Sequence, residues 1–174
     1  GYGIFTRLMR DKGCDFQHTD KYCENIFAKN FEQNRTQYNA ITAFEVMEHV
    51  TDPIKFIDDE VSIFTPESLI FSTLTYEGER PKDDWWYYAF DTGQHISFYT
   101  KRSLEHLAQR LGYNYHPISD DLHIFTKLSI TRNKLQKYCS NGLFTWRKHY
   151  IKKKLKKSKL KKKDAEYVKS LRST

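Results

Sequence analysis

Apolar residues follow two different spacings along the first 130 residues, one helical and one extended. Helical spacing after Ile4, Pro53 and Thr100 predicts three helices, and a polar, helix-compatible stretch covers residues 21–29. Short apolar runs predict strands at residues 14–19, 38–44, 68–73, 113–118 and 122–128. This alternation predicts an α/β fold with a mostly parallel sheet, and the last two strands predict an antiparallel terminal hairpin.

Start and stop signals support these helices. Asp52 offers a side-chain cap and Pro53 suits the first helical position, so a helix is expected to begin there. Gly13 stands where a glycine commonly follows a helix end, and Gly112 does so for the helix that begins near Thr100. These signals therefore indicate where the helices begin and end.

Charge divides the chain into a body and a tail. The 174 residues carry a net charge of +7, but residues 147–163 contain eleven Lys and Arg and no acid. Removing these eleven charges leaves −4, so we interpret residues 1–130 as one domain and residues 131–174 as a basic C-terminal extension. The lysine run suits an anionic membrane surface. The alternatives are nucleic-acid binding through counterion release and a solubilising tail without a partner.

The three cysteines, Cys14, Cys23 and Cys139, are odd in number and lack the spacing of metal ligands. A reduced, cytoplasmic chain is the simplest interpretation, with the basic tail holding it at the inner surface of the membrane. No apolar run reaches the ~20 residues that a membrane-spanning helix requires.

Three predicted strand ends carry residues suited to a nucleotide. Gly1 and Gly3 precede the first helix, where bare backbone can pass close to a ligand. Asp20 ends the next predicted strand and could accept hydrogen bonds from ribose hydroxyls, or could cap a helix from Lys21 onward. Glu45 follows another strand, at the same predicted edge of the sheet.

These residues, together with the segments YNAITAFEVMEHV and GQHISFYTKRSLEHL, make the chain similar to class I S-adenosylmethionine-dependent methyltransferases. The resemblance covers residues 1–127 and is strongest to bacterial methyltransferase domains with a Glu-Val-x-Glu-His stretch after the fourth strand. It implies a Rossmann-like sheet of order 3-2-1-4-5-7-6, with residues 122–128 as the antiparallel strand. It also implies S-adenosylmethionine as the cofactor.

The resemblance further implies which residues contact that cofactor. They are Gly1, Gly3, Asp20, Lys21, Tyr22, Phe44 and Glu45. The glycines would belong to the loop under the cofactor and Asp20 would hold its ribose. The two residues after Asp20 would lie near the adenine, and the last two of the set would line the floor beside the methionine portion.

The first strand of the family's sheet, the acid that opens its glycine loop and the first glycine of that loop have no counterpart in this sequence. That strand is central in the family's sheet. We therefore expect an N-terminally truncated fragment of a longer gene product, which binds the cofactor weakly until the upstream residues are restored.

A cluster of ligand-type side chains follows the strand at 38–44. Helical spacing would place Glu45, Glu48 and His49 on one face. Some related methyltransferases, among them ubiquinone-pathway O-methyltransferases and small-RNA 3′-end methyltransferases, bind a divalent ion with such a set, and His95 occupies the place of a further ligand. This resemblance suggests Mg²⁺ or Mn²⁺. In the alternative, metal-free arrangement the Glu-His pair packs against the following loop.

His95 and His49 are also the candidate catalytic bases, because an imidazole pKa near ~6.5 suits proton transfer at neutral pH. The alternative for His95 is a structural hydrogen bond to a neighbouring loop. The run Trp85-Trp86-Tyr87-Tyr88 lies where the family builds the lid over the acceptor. Its rings could form a platform for flat groups or pack over the sheet edge.

Together these features predict methyl transfer from S-adenosylmethionine to an oxygen or nitrogen of a small-molecule or saccharide-type acceptor. One alternative is a metal-dependent RNA methyltransferase whose basic tail anchors RNA. Another is a non-catalytic binding module with a degenerate cofactor loop.

Overall fold

The computed structural model describes residues 1–131, which form two compact units, Gly1–Asn34 and residues 35–131. The basic run at 147–163 lies outside the described residues, as does nearly all of the predicted extension.

The first unit opens with helix α1, Ile4–Asp11, as predicted. Gly13 follows it with a φ of +88°, a left-handed conformation that favours glycine, and its N–H donates to the Arg10 carbonyl. The buried positions of this helix are nevertheless the polar Thr6 and Arg10. Arg10 is held by the Phe16 carbonyl oxygen at 2.8 Å, while the apolar Ile4 stays half exposed.

The strand predicted at 14–19 and the helix predicted at 21–29 are both wrong. Residues 14–19 contribute a single bridge, between His18 and Glu32. In the second stretch the Asn25 side chain bonds both the N–H and the C=O of Ala28, at 2.9 and 2.6 Å. Such side-chain bonds satisfy backbone groups that a helix would otherwise pair, so an irregular loop forms instead.

The second unit contains six strands. They are β1 (Ala40–Ala43), β2 (Ser68–Ser72), β3 (Thr75–Tyr76), β4 (Tyr99–Thr100), β5 (Asn114–Pro117) and β6 (Leu122–Thr126). Four of them form a sheet of order β1-β2-β6-β5, in which β1 and β2 are parallel and β6 is antiparallel to both neighbours. This order matches the 4-5-7-6 part of the Rossmann-like sheet, and the antiparallel terminal hairpin is confirmed. The β3–β4 pair is a separate parallel ribbon.

Two helical segments accompany this sheet, and their predicted starts are confirmed. Helix α2, Pro53–Phe56, continues as a π-helix over Ile57–Val61 and a 3₁₀ turn over Ser62–Phe64. The Asp52 carboxylate accepts the N–H groups of Ile54 and Lys55 at 3.1 and 3.0 Å. Helix α3, Lys101–Arg110, begins with a reciprocal cap between Thr100 and Ser103.

The core of this unit lies between the sheet and the helices. Leu69 and Phe71 alternate with half-buried residues along β2 and are fully buried, as is Phe125 on β6. Leu104 on α3 and Ile57 are also fully buried and belong to the same cluster. Burial of side chains of this size stabilises the fold by about 1.5–3 kcal/mol each. The core thereby fixes the carboxyl ends of β1 and β2 at one edge.

Candidate active site

Glu45 and Ser72 meet where the parallel strands β1 and β2 end. Glu45 has a φ of +53°, a left-handed conformation that is uncommon for residues other than glycine. Its N–H donates to Ser72 Oγ at 2.7 Å, and the same hydroxyl donates to Glu45 Oε1 at 2.6 Å. This pair of bonds turns the chain sharply after β1 and fixes the direction of the carboxylate.

The turn that follows, Met47–His49, is a 3₁₀ helix held by residues that precede α3. The Glu48 carbonyl oxygen accepts the N–H groups of Ile96 and Ser97 at 2.9 and 3.0 Å. The Tyr99 hydroxyl donates to the Met47 carbonyl oxygen at 3.1 Å. The backbone of the Glu-His segment is therefore anchored on the loop that carries His95.

Glu48 is fully buried, yet neither of its carboxyl oxygens has a hydrogen-bond partner among residues 1–131. Burial raises the pKa of this carboxyl, and the charge of the nearby Glu45 carboxylate raises it further. An unpartnered buried carboxyl is costly, so its presence here requires a functional explanation.

His49 and His95 lie beside Glu48 and contact each other edge to face, with ring centres 5.0 Å apart. His49 Nδ1 lies 2.8 Å from the Gln94 carbonyl oxygen, and His95 Nδ1 lies 2.7 Å from the Tyr87 carbonyl oxygen. Because a carbonyl oxygen only accepts, Nδ1 carries the proton in both rings. In the neutral rings, Nε2 is then left as an acceptor or a metal ligand.

Glu48, His49 and His95 thus come together, and one ligand atom from each lies within 4.8 Å of the others. Glu45 does not join this group, because its carboxylate is bonded to Ser72. The helical spacing predicted for Glu45, Glu48 and His49 is wrong, since Glu45 is left-handed and only the turn Met47–His49 is helical.

The aromatic run divides into a packed part and an exposed part. The rings of Trp85 and Tyr88 pack against Phe98, with centroids 5.9 and 4.9 Å away, and Tyr87 is buried beside them. Trp86 is 74% exposed. The Tyr87 hydroxyl accepts the Leu74 N–H at 3.0 Å, which fixes this turn to the segment after β2. The packing role is thus confirmed for Trp85, Tyr87 and Tyr88, whereas the platform role stays a prediction.

In the first unit, Asp20 follows residues 14–19, which do not form the strand that it was predicted to end. Its carboxylate accepts the N–H groups of Tyr22 and Cys23, both at 2.8 Å, and pairs with the Gly1 amino group. Partial burial acts to raise the pKa of Asp20, but these hydrogen bonds outweigh it and lower the pKa to about 2. The carboxylate caps a turn and no helix follows it.

Gly3 is buried against Asn25. A Cβ on Gly3 would lie 2.2 Å from Asn25 Oδ1, and its φ is +87°. The same unit contains a cleft of about 510 Å³ whose lining includes His18, Asp20 and Glu32. Gly3 is thus required for close packing within this unit, a reason that the Gly-x-Gly pattern did not reveal.

The other residues that were predicted to contact the cofactor differ in their exposure to solvent. Tyr22 is 90% exposed and Lys21 is also exposed, whereas Phe44 is 38% exposed. Lys21 and Tyr22 belong to the first unit with Gly1, Gly3 and Asp20, and Phe44 belongs to the second with Glu45.

The sequence analysis did not identify three groups that position the predicted site residues. They are the Ser72 hydroxyl, the Asn25 side chain and the Tyr87 backbone carbonyl. Ser72 carried a usable signal, since a serine that ends an apolar strand beside an acidic strand end can bond that acid. The Asn25 contacts and the Tyr87 carbonyl depend on tertiary structure.

Among residues 1–131, Cys14 and Cys23 are free thiols, and no helix has the length and apolarity to span a membrane.

Comparison with protein families gives one informative result. The family described as a methyltransferase domain matches residues 1–118, about two thirds of the chain. Neither the search of curated proteins nor that of solved structures returned a match. With the strand order at the sheet edge described above, the match shows that the chain belongs to the methyltransferase domain family and has its Rossmann-like fold.

Proposed function

We propose that this methyltransferase uses S-adenosylmethionine to methylate a hydroxyl oxygen or amine nitrogen of a small-molecule or saccharide-type acceptor, with His95 as the base. The observation that carries the proposal is the bond from His95 Nδ1 to the Tyr87 carbonyl oxygen at 2.7 Å. It fixes the tautomer in which Nε2 can accept a proton.

S-adenosylmethionine supplies a methyl group as an electrophilic substituent on a sulfonium. His95 takes the proton of the acceptor hydroxyl or amine as the new bond to the methyl carbon forms and the carbon–sulfur bond breaks. His49, held by the Gln94 carbonyl, presents a second Nε2 beside it. In the first unit, Asp20 remains ionised over the physiological range and would accept the ribose hydroxyls, while Lys21 and Tyr22 would lie near the adenine.

Transfer of labelled methyl groups to a panel of hydroxyl and amine acceptors tests this assignment. His95→Gln is expected to lower kcat by about 10²-fold or more, because general base catalysis contributes about 10²–10⁴. His106→Gln, at an exposed position on α3, is the matched control and should retain the activity. Full activity in His95→Gln would contradict the role of His95. Failure of the chain to bind S-adenosylmethionine would favour the alternative of a non-catalytic binding module.

A second candidate is metal-assisted methyl transfer, as in an RNA methyltransferase, and the unpartnered Glu48 carboxyl favours it. One carboxylate and two imidazoles with their Nδ1 protons donated to carbonyls fit a divalent ion. Glu48, His49 and His95 would hold Mg²⁺ or Mn²⁺, which would supply charge stabilisation near the acceptor oxygen. Calorimetric titration with Mn²⁺ should show one site that Glu48→Gln removes and the control Glu105→Gln retains. Equal binding by both variants would exclude this site.

We also propose that the basic run at 147–163 binds an anionic membrane surface. Its eleven positive charges, without an acid, support this at about 1 kcal/mol per residue near the surface. Flotation with vesicles of phosphatidylcholine, with and without phosphatidylglycerol, tests the proposal. Binding that ignores lipid charge, or binding to RNA alone, would overturn it.

A further inference from the structure

Trp86 is a large apolar ring that the fold holds in solvent. It is 74% exposed, whereas its neighbours Tyr87 and Tyr88 are 4% and 8% exposed. The 3₁₀ turn that carries it, Trp86–Tyr88, is followed by Ala89 in a left-handed conformation, and the Ala89 N–H donates to the Trp86 carbonyl oxygen.

This turn is rigidly anchored on both sides of Trp86. The Tyr88 hydroxyl donates to the Pro81 carbonyl oxygen at 3.0 Å, and the Tyr87 hydroxyl accepts the Leu74 N–H. Side chains held in advance in this way lose little conformational freedom when a ligand binds. The exposure of Trp86 is thus a fixed property of the loop.

Trp86 also lies close to the proposed base. Its ring centre is 5.4 Å from that of Tyr87, and Tyr87 is 4.6 Å from His95. The Trp86 and His95 rings are therefore at most 10 Å apart, the sum of these two distances. A single ring-shaped molecule can cover the indole face and still present a hydroxyl to the imidazole.

The charge of the loop restricts what that molecule can be. Residues 77–95 contain five acids and two bases, and one of the bases, Arg80, is paired with Asp83 at 2.7 Å. Lys101, outside this segment, pairs with Glu77 at 3.1 Å, so five acids still face three bases. A phosphate-bearing acceptor such as RNA would be repelled by this excess of carboxylates. Asp84 and Asp91 are exposed on either side of the aromatic turn and can accept hydrogen bonds from hydroxyl donors.

We infer that Trp86 is the platform on which a sugar ring of the acceptor lies, with one of its hydroxyls directed at His95. A neutral sugar combines an apolar C–H face, which suits the indole, with several hydroxyl donors, which suit the carboxylates. This inference rests on the proposed function, because it assigns Trp86 to the acceptor of the His95 reaction.

Saturation-transfer NMR titrations with methyl glycosides of a hexose and of a 6-deoxyhexose test the inference, with adenosine monophosphate and phenol as comparison probes. The glycosides are expected to bind the chain, and Trp86→Ala should weaken them by about tenfold, whereas Trp86→Phe should retain most of the affinity. Ile63→Ala, which removes another exposed apolar side chain, is the matched control and should have no effect.

The affinity of each variant for S-adenosylmethionine, measured in the same samples, separates the two proposals. Glycoside binding that depends on Trp86 in a chain without affinity for S-adenosylmethionine would overturn the proposed function alone. Equal glycoside affinity in Trp86→Ala, no glycoside binding at all, or binding of only phenol or the nucleotide would overturn the inference.

Discussion

The Ser72 hydroxyl holds Glu45 at two points, accepting its N–H at 2.7 Å and donating to its carboxylate at 2.6 Å. These two bonds maintain Glu45 in a left-handed conformation that a residue with a side chain rarely adopts. The arrangement joins the ends of β1 and β2 and holds the Glu45 carboxylate outside the group formed by Glu48, His49 and His95.

Ser72→Ala is therefore expected to lower the free energy of unfolding by about 1–2 kcal/mol, since one of the lost bonds involves a charged group. Urea denaturation measures this change. Ser62→Ala, at a position that lacks these contacts, is the control and should change stability by less than about 0.5 kcal/mol. Equal stability of both variants would show that other contacts hold Glu45.

Gly3→Ala is expected to destabilise the chain by more than about 1 kcal/mol, because the added Cβ would overlap Asn25 Oδ1 and the positive φ would strain alanine. Gly1→Ala is the matched control, since a Cβ there meets no atom within 4 Å. Thermal unfolding of the two variants provides the comparison. If Asn25 is the obstacle, Asn25→Ala should recover part of the loss in the double variant.

Glu48→Met is expected to raise the free energy of unfolding by about 1–3 kcal/mol in the presence of a chelator. The substitution removes a buried carboxyl whose oxygens lack partners in the described part of the chain, and keeps a similar volume. Guanidinium denaturation with and without Mn²⁺ measures the effect. Exposed Glu105→Met should be neutral, and a large loss of stability in Glu48→Met would reveal a bond that stabilises the carboxyl.

Stability should fall as the pH drops below about 6.5, in part because of His123. This ring is fully buried, with Nε2 3.0 Å from the Thr73 carbonyl oxygen and Nδ1 3.0 Å from the Tyr115 hydroxyl. Burial lowers the pKa of His123, so in this range the unfolded chain binds a proton that the folded chain does not.

Urea denaturation between pH 7.5 and 5.5 should therefore show a shallower pH dependence for His123→Gln than for the unmodified chain, with the exposed His106→Gln as control. Some slope should remain, because burial also lowers the pKa values of His18 and His116. An unchanged slope in His123→Gln would contradict this assignment.

Local signals in the sequence predicted the second unit well and the first unit poorly. Asp52-Pro53 and Thr100 begin helices as expected, because a side-chain cap acts within three residues. Residues 21–29 have helical propensity, but Asn25 bonds the backbone of Ala28 instead. The sequence alone provides no measure of that competition.

The candidate site shows the same division. The pattern Glu-x-x-Glu-His and the position of His95 identified the residues that cluster, since the loop before β4 is hydrogen-bonded to the turn after β1. Periodicity nevertheless predicted that Glu45 would point with them. Its carboxylate instead accepts a hydrogen bond from the hydroxyl of Ser72, 27 residues away in the chain, and only tertiary structure reveals such a contact.

Strand β1 has a pairing partner on one side only within the described sheet, where β2 runs parallel to it. The hydrogen-bonding groups along its other side form a template for any extended polypeptide of matching length. We therefore expect the protein to self-associate through this unpaired strand edge as its concentration rises. A charged substitution such as Thr42→Lys should suppress the association.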